Sequence, residues 1–302
     1  MDTNIKQTHR FILYITILIM IIFPFTQLIL QELFLQINKQ LFFFISKLVI
    51  IYMLFLFLKK KKITLSSIQL KKVHVKYILL GILMGSITHM LTVFFGRTQY
   101  YLLTGEWLTA EKIVGTLMES SKNISFYSIM MIGFSVAISE EILFRGILLK
   151  LYQRMNIKSA IILSALIFSI YHMTVGNLVF AFVMGISFAL LTIYTGSIVP
   201  AIFYHFLVNE IMRIIMHFPE KVTETYFKVM VSPIITITGL ILFLSISTYL
   251  FIKVRKNNHF QSEKVKFFDR YIILLFLMYV IFLTIYIIRL NMLPIPEDYF
   301  HK

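Results

Sequence analysis

Long apolar stretches alternate along the chain with short polar segments that end in lysines. A helix needs about 20 consecutive apolar residues to cross a hydrocarbon core ~30 Å thick. On that measure nine spans are expected: Phe11–Leu30, Leu41–Leu58, Tyr77–Phe95, Phe126–Leu149, Ser159–Met173, Leu178–Thr195, Ile198–Ile215, Val231–Ile252 and Tyr271–Leu290. The fifth and sixth are short and close together, so eight is the alternative count. The pattern predicts an all-α, polytopic transmembrane helix bundle, because helices satisfy their own backbone hydrogen bonds where no water is present. Thr195-Gly196-Ser197, with Pro200 behind it, reads as a tight turn that ends one helix and starts the next, fixing the register of His205.

Composition agrees. Of 302 residues, 59% are hydrophobic and 14% charged, against roughly 45–50% and about 25% in soluble domains. The net charge of +15 sits at span ends, as in KKKK at Lys59–Lys62 and KVRK at Lys253–Lys256. This distribution marks cytoplasmic loops and contact with anionic lipid rather than nucleic acid. With the N-terminus inside, inner connections carry 18 Lys and Arg and outer ones 7, which predicts a multi-pass cell-membrane protein with N-terminus in and C-terminus out. The first apolar run is too long for a signal-peptide core and lacks a small-x-small site after it. Cysteine is absent, which excludes disulfides, thiolate metal sites and a cysteine nucleophile.

Three regions are expected: N-terminal helices and an outer loop over 1–119, a core over 120–215, and C-terminal helices and tail over 216–302. The outer loop Gly96–Ser125 carries TGEWLTAEKIVGTLMES, which suits a short amphipathic helix at the interface with Trp107 as a headgroup anchor. No internal repeat is visible, which argues against inverted-repeat transporters. Gly81 and Gly85 form a GxxxG pattern that suits close helix packing.

Inside FYSIMMIGFSVAISEEILFRGILL stand Glu140, Glu141 and Arg145. Each ionised group near a helix centre costs about 2.5–3.5 kcal/mol on insertion scales, so the three ask for roughly 8–10 kcal/mol before pairing. Glu141 and Arg145 are four apart and can pair on one face, and helix packing alone is an adequate reason for such a pair. Glu140 lies about 100° round the helix, with no partner in its own span. An unpaired carboxylate builds little stability there, and it suits a general base facing a wet cavity. Two later spans bring His172, in ALIFSIYHM, and His205 with Asn209, in IVPAIFYHFLVNE, to similar depths. His89 is a lesser candidate for the same cavity, while Phe144, Phe168 and the Met130–Met131 pair read as core.

The chemistry open to this set is narrow. There is no HExxH, and Ser139 and Ser169 point elsewhere by helical phase. One reading has Glu140 activating water with His172, while His205 and Asn209 donate to the developing oxyanion. In the other, the two histidines and a glutamate hold zinc with one open position.

EEILFRG, FSIYH and TGSIVPAIFYHFLVN, in this order and spacing, resemble the CAAX protease and bacteriocin-processing family (Abi, or CPBP) of intramembrane proteases. The likeness covers roughly residues 120–215. It implies a helical membrane core and a peptidase in which Glu140 and His172 activate water, His205 and Asn209 stabilise the oxyanion, and Glu141 and Arg145 support them. It implies either a glutamate protease that needs no cofactor or a zinc metalloprotease. Substrates would be membrane-associated peptides or proteins, with bacteriocin immunity or peptide maturation among the roles of bacterial relatives. A non-catalytic membrane scaffold or immunity protein, and a proton-coupled transporter, are the rival readings.

Overall fold

The computed structural model describes residues 5–23, 39–121, 125–153, 156–172, 178–257 and 269–292, with positions 25, 26 and 29. Among these residues there is no strand. The helices are α1 (Ile5–Ile17), α2 (Lys39–Lys60), α3 (Val75–Thr104), α4 (Ala110–Ser121), α5 (Phe126–Glu141), α6 (Ile157–Tyr171), α7 (Leu178–Thr195), α8 (Val199–Ile215), α9 (Glu220–Met230), α10 (Pro233–Asn257) and α11 (Arg270–Met292). A π-helical turn, Leu18–Ile22, prolongs α1, and a π-helical segment, Ile142–Leu149, prolongs α5 as far as Tyr152.

The expected spans coincide with helices, the first over its N-terminal part, while Met173 lies outside the described residues. Within α3, α7 and α10, Val75–Thr98, Leu178–Thr195 and Pro233–Lys256 are each long and apolar enough to cross a membrane, and α6 and the first part of α11 are shorter apolar helices. The exposed surface is apolar too. Ile234, Ile237, Ile241 and Leu244 of α10 and Ile273, Phe276 and Ile281 of α11 all face outward. In water such a surface would aggregate, whereas against acyl chains it is the stable arrangement. This is a membrane protein.

Helix ends follow local chemistry. Ser125 accepts from the Ser128 backbone N–H at the start of α5, and Asn156 does the same for Ser159 at the start of α6. One boundary departs from expectation. The third helix runs past Phe95 to Thr104, so the outer loop proper begins at Gly105. Gly105 takes the left-handed conformation (φ 75°) and its N–H bonds to Tyr101 O, which closes the helix. Gly96 stays inside the helix with no neighbour pressing on it. The amphipathic helix expected beyond is α4, and it packs on α9 over a small core of Val93, Ile113, Val114, Met216, Phe227 and Met230. Trp107 is half-exposed, stacked on Tyr101 at 4.7 Å with the Arg97 guanidinium over it at 5.4 Å.

At the centre, α8 packs against α3, α5 and α7. Its contact with α3 is tight because Gly81 and Gly85 line it. A Cβ at Gly81 would stand 2.2 Å from Pro200 O, and one at Gly85 would stand 2.8 Å from Leu207 Cβ. The α6–α7 pair closes in the same way, with Gly185 against Ala165. The turn before α8 is built as expected, with Gly196 at φ 68°. It is anchored from outside itself: Ile198 N–H bonds to Gln69 O at 3.0 Å and Ser197 Oγ to Lys71 O at 2.9 Å. The connection between α2 and α3 therefore holds the start of α8, and with it the register of His205.

Candidate active site

Glu140 and Glu141 are the last residues of α5 before its wide-turned π segment. All eight residues of that segment are buried, Arg145 among them. Such segments commonly occur at functional sites. The expected Glu141–Arg145 pair forms, with Nη1 3.0 Å from Oε1. Arg145 also donates from Nη2 to Gly185 O, and its guanidinium lies 4.2 Å from the Phe168 ring centre and 4.9 Å from that of Phe188. Planar stacking and two directed hydrogen bonds suit guanidinium specifically.

Glu141 does more than neutralise Arg145. The same Oε1 lies 2.8 Å from His205 Nδ1, so the carboxylate receives that N–H and turns Nε2 toward Glu140. Phe188 stacks on the His205 ring at 5.0 Å and 17°. At the C-cap of α6, His172 Nδ1 donates to Phe168 O at 2.8 Å, which again leaves Nε2 facing inward. Both imidazole Nε2 atoms then converge on one oxygen: Glu140 Oε2 is 3.9 Å from His172 and 3.8 Å from His205. Those gaps exceed a direct hydrogen bond and suit a bridging water. Glu140 is 6% exposed, and its Oε2 has no hydrogen-bond partner among the described residues.

His172, His205, Asn209 and Thr92 share a cavity of about 220 Å³ with Phe168, Phe180, Met184 and Phe188. Asn209 is exposed along its wall, one turn beyond His205. All six residues expected at the site are thus in or beside one pocket. His89 is not on its wall: it is buried and stacked on Tyr226 at 6.0 Å. Ser139 and Ser169 bond to the carbonyls of Val136 and Leu178, away from the centre. Phe144 and Phe168 are core, as expected, but Met131 is exposed on the outer surface of α5.

Sequence reasoning missed two contributors. Phe188 carried no signal, since an aromatic in an apolar helix is ordinary. Lys47 did carry one, as a lone charge within LFFFISKLVIIYMLFLFL. It is buried, with Nζ 3.9 Å from Glu140 Oε1, so Glu140 has a partner in another span. Among the described residues no set of three His, Asp or Glu side chains is placed to hold a metal ion. A lysine ammonium beside the central carboxylate also opposes a second cation there.

Residues 122–211 match the family model described as type II CAAX prenyl endopeptidase Rce1-like. This stretch is similar to an Rce1-like domain. The match spans under a third of the chain, and it contains every residue from Glu140 to Asn209 that meets at the cavity. No curated protein and no solved structure matches the chain.

Proposed function

We propose that the protein is an intramembrane endopeptidase that hydrolyses a peptide bond of a membrane-associated peptide or protein by a metal-free mechanism. The observation that carries this is the convergence of His172 Nε2 and His205 Nε2 on Glu140 Oε2 beside the cavity. A water there meets two acceptors, the carboxylate and the His172 Nε2 lone pair, since Nδ1 of that ring is already donating. On attack the water gives its proton to this pair, its oxygen bonds to the scissile carbonyl carbon, and the carbonyl oxygen becomes anionic. Asn209 donates to that oxyanion through its amide, and His205 through Nε2–H when its ring is doubly protonated, a charge that Glu141 offsets. The proton then passes from Glu140 or His172 to the leaving amine as the C–N bond breaks.

The aromatic, largely apolar cavity wall suits an extended peptide that reaches the site from the bilayer. The lysine distribution supports an N-in, C-out orientation in the cell membrane. The decisive measurement is cleavage of membrane-tethered peptides by purified protein, with and without a chelator. Glu140→Gln is expected to lower kcat by roughly 10²–10⁴, with cleavage by the unmodified protein unchanged in chelator. Activity lost in chelator and restored by zinc would overturn the metal-free route. A Glu140→Gln variant that cleaves normally would overturn the assignment of the base.

A further inference from the structure

Lys47 stands in α2, far before the Rce1-like stretch, and is 5% exposed. An ammonium at that depth is costly unless it meets opposite charge, and charges buried in membrane helices usually mark function. The Glu140 carboxylate is divided between two neighbourhoods: Oε1 faces Lys47 at 3.9 Å, and Oε2 faces the two imidazoles. Arg145 cannot serve Glu140 in this way, because its guanidinium is held by Glu141, Gly185 O and two aromatic rings. At 3.9 Å an ammonium acts as a point charge, or through one water, and its field is strong where solvent is excluded.

We propose that Lys47 is a positioning residue for the hydrolytic centre: its ammonium keeps the Glu140 carboxylate ionised and holds Oε2 toward His172 and His205. This rests on the reading of Glu140 as the group that activates water. It also makes the site a joint product of the Rce1-like stretch and the helices before it. The charged and titratable groups around Glu140 are Lys47 on α2, Tyr171 at the end of α6 and His172 capping it, His205 on α8, and Glu141 and Arg145 on its own helix. Of these, Lys47 is the cation that faces Oε1.

The test uses the full chain in lipid nanodiscs. Lys47→Met is expected to lower kcat about tenfold or more at neutral pH with little change in KM. Activity should recover as pH rises by one to two units, because alkali deprotonates the carboxyl without the lysine's help. Lys47→Arg should stay within a few-fold of the unmodified protein. Lys47→Gln carries the same readout should the Met variant fail to insert. Infrared spectra give a reading independent of catalysis. Lys47→Met should show a protonated-carboxyl band at neutral pH that is missing in the unmodified protein and in the Lys47→Met, Glu140→Gln double variant. Should no substrate be cleaved by any form, that band still supports the Lys47–Glu140 assignment while the proteolytic reading fails. A Lys47→Met variant without the band, or with the same fractional activity at every pH, would overturn the proposal.

Discussion

Asn209 and Arg145 show how differently two residues of one site respond to change. Asn209 is exposed on the cavity wall, with its side chain free of the packing that holds the bundle together. With the oxyanion role proposed for it, Asn209→Ala is expected to cut kcat by about 10²–10³, while the unfolding temperature in detergent stays unchanged. Arg145 is 1% exposed and is the counter-ion of Glu141. Arg145→Met leaves Glu141 buried and bonded only to His205, and removing one member of a buried pair costs roughly 3–5 kcal/mol. Its expected outcome is a marked drop in unfolding temperature together with lost activity. Even Arg145→Lys should be poorly tolerated, since an ammonium cannot reproduce the guanidinium stacking and its two directed bonds. A stability in either variant equal to the unmodified protein would show that Glu141 finds its compensation elsewhere.

At the level of elements, glycines decide how closely helices meet, and the site depends on that approach. A methyl at Gly81 would collide with the Pro200 carbonyl, part of the rigid start of α8. Gly81→Ala is expected to destabilise by about 1–3 kcal/mol, the usual cost of overpacking, and to lower activity by shifting His205. Gly96 lies in the same helix with open space around it. Gly96→Ala should be neutral or stabilising by up to about 1 kcal/mol, because alanine is the better helix former. Thermal unfolding of both variants side by side distinguishes packing from propensity. Equal effects at the two positions would remove the close α3–α8 contact as the explanation.

Across the whole molecule, the main core cluster runs from Ile12 of α1 to Tyr279 of α11, with Ile50, Met84, Phe188 and Leu250 between them, and only α4 and α9 among the helices described pack over a core of their own. His9 of α1 bonds to Tyr152 beyond the π segment and, at 3.0 Å, to Asp269 just before α11. The first and last helices are thereby tied to the end of the segment that carries Glu140. Orientation is testable at this scale with little interference, since the chain has no cysteine. Single cysteines at Lys61 and Glu106 are expected to react with a membrane-impermeant maleimide from opposite sides of intact cells, at Glu106 from outside. Labelling of both from one side would overturn the N-in, C-out arrangement.

The sequence alone determined the membrane environment, the all-helical class and the order of the helices. These depend on apolar run length and on the cost of leaving backbone groups unbonded in lipid, both of which are local. It also placed Glu140, Glu141, Arg145, His172, His205 and Asn209 in one site, because a polar residue in an apolar helix is conspicuous against its background. Tertiary structure decided which atom faces which. The bond from His205 Nδ1 to Glu141, the Phe168 and Phe188 rings around Arg145, and the approach of Lys47 to Glu140 each join residues from different helices. Their geometry depends on crossing angles and glycine contacts that no local pattern encodes. The π segment after Glu141 belongs with them, since its widened turns depend on how that helix is buried among its neighbours.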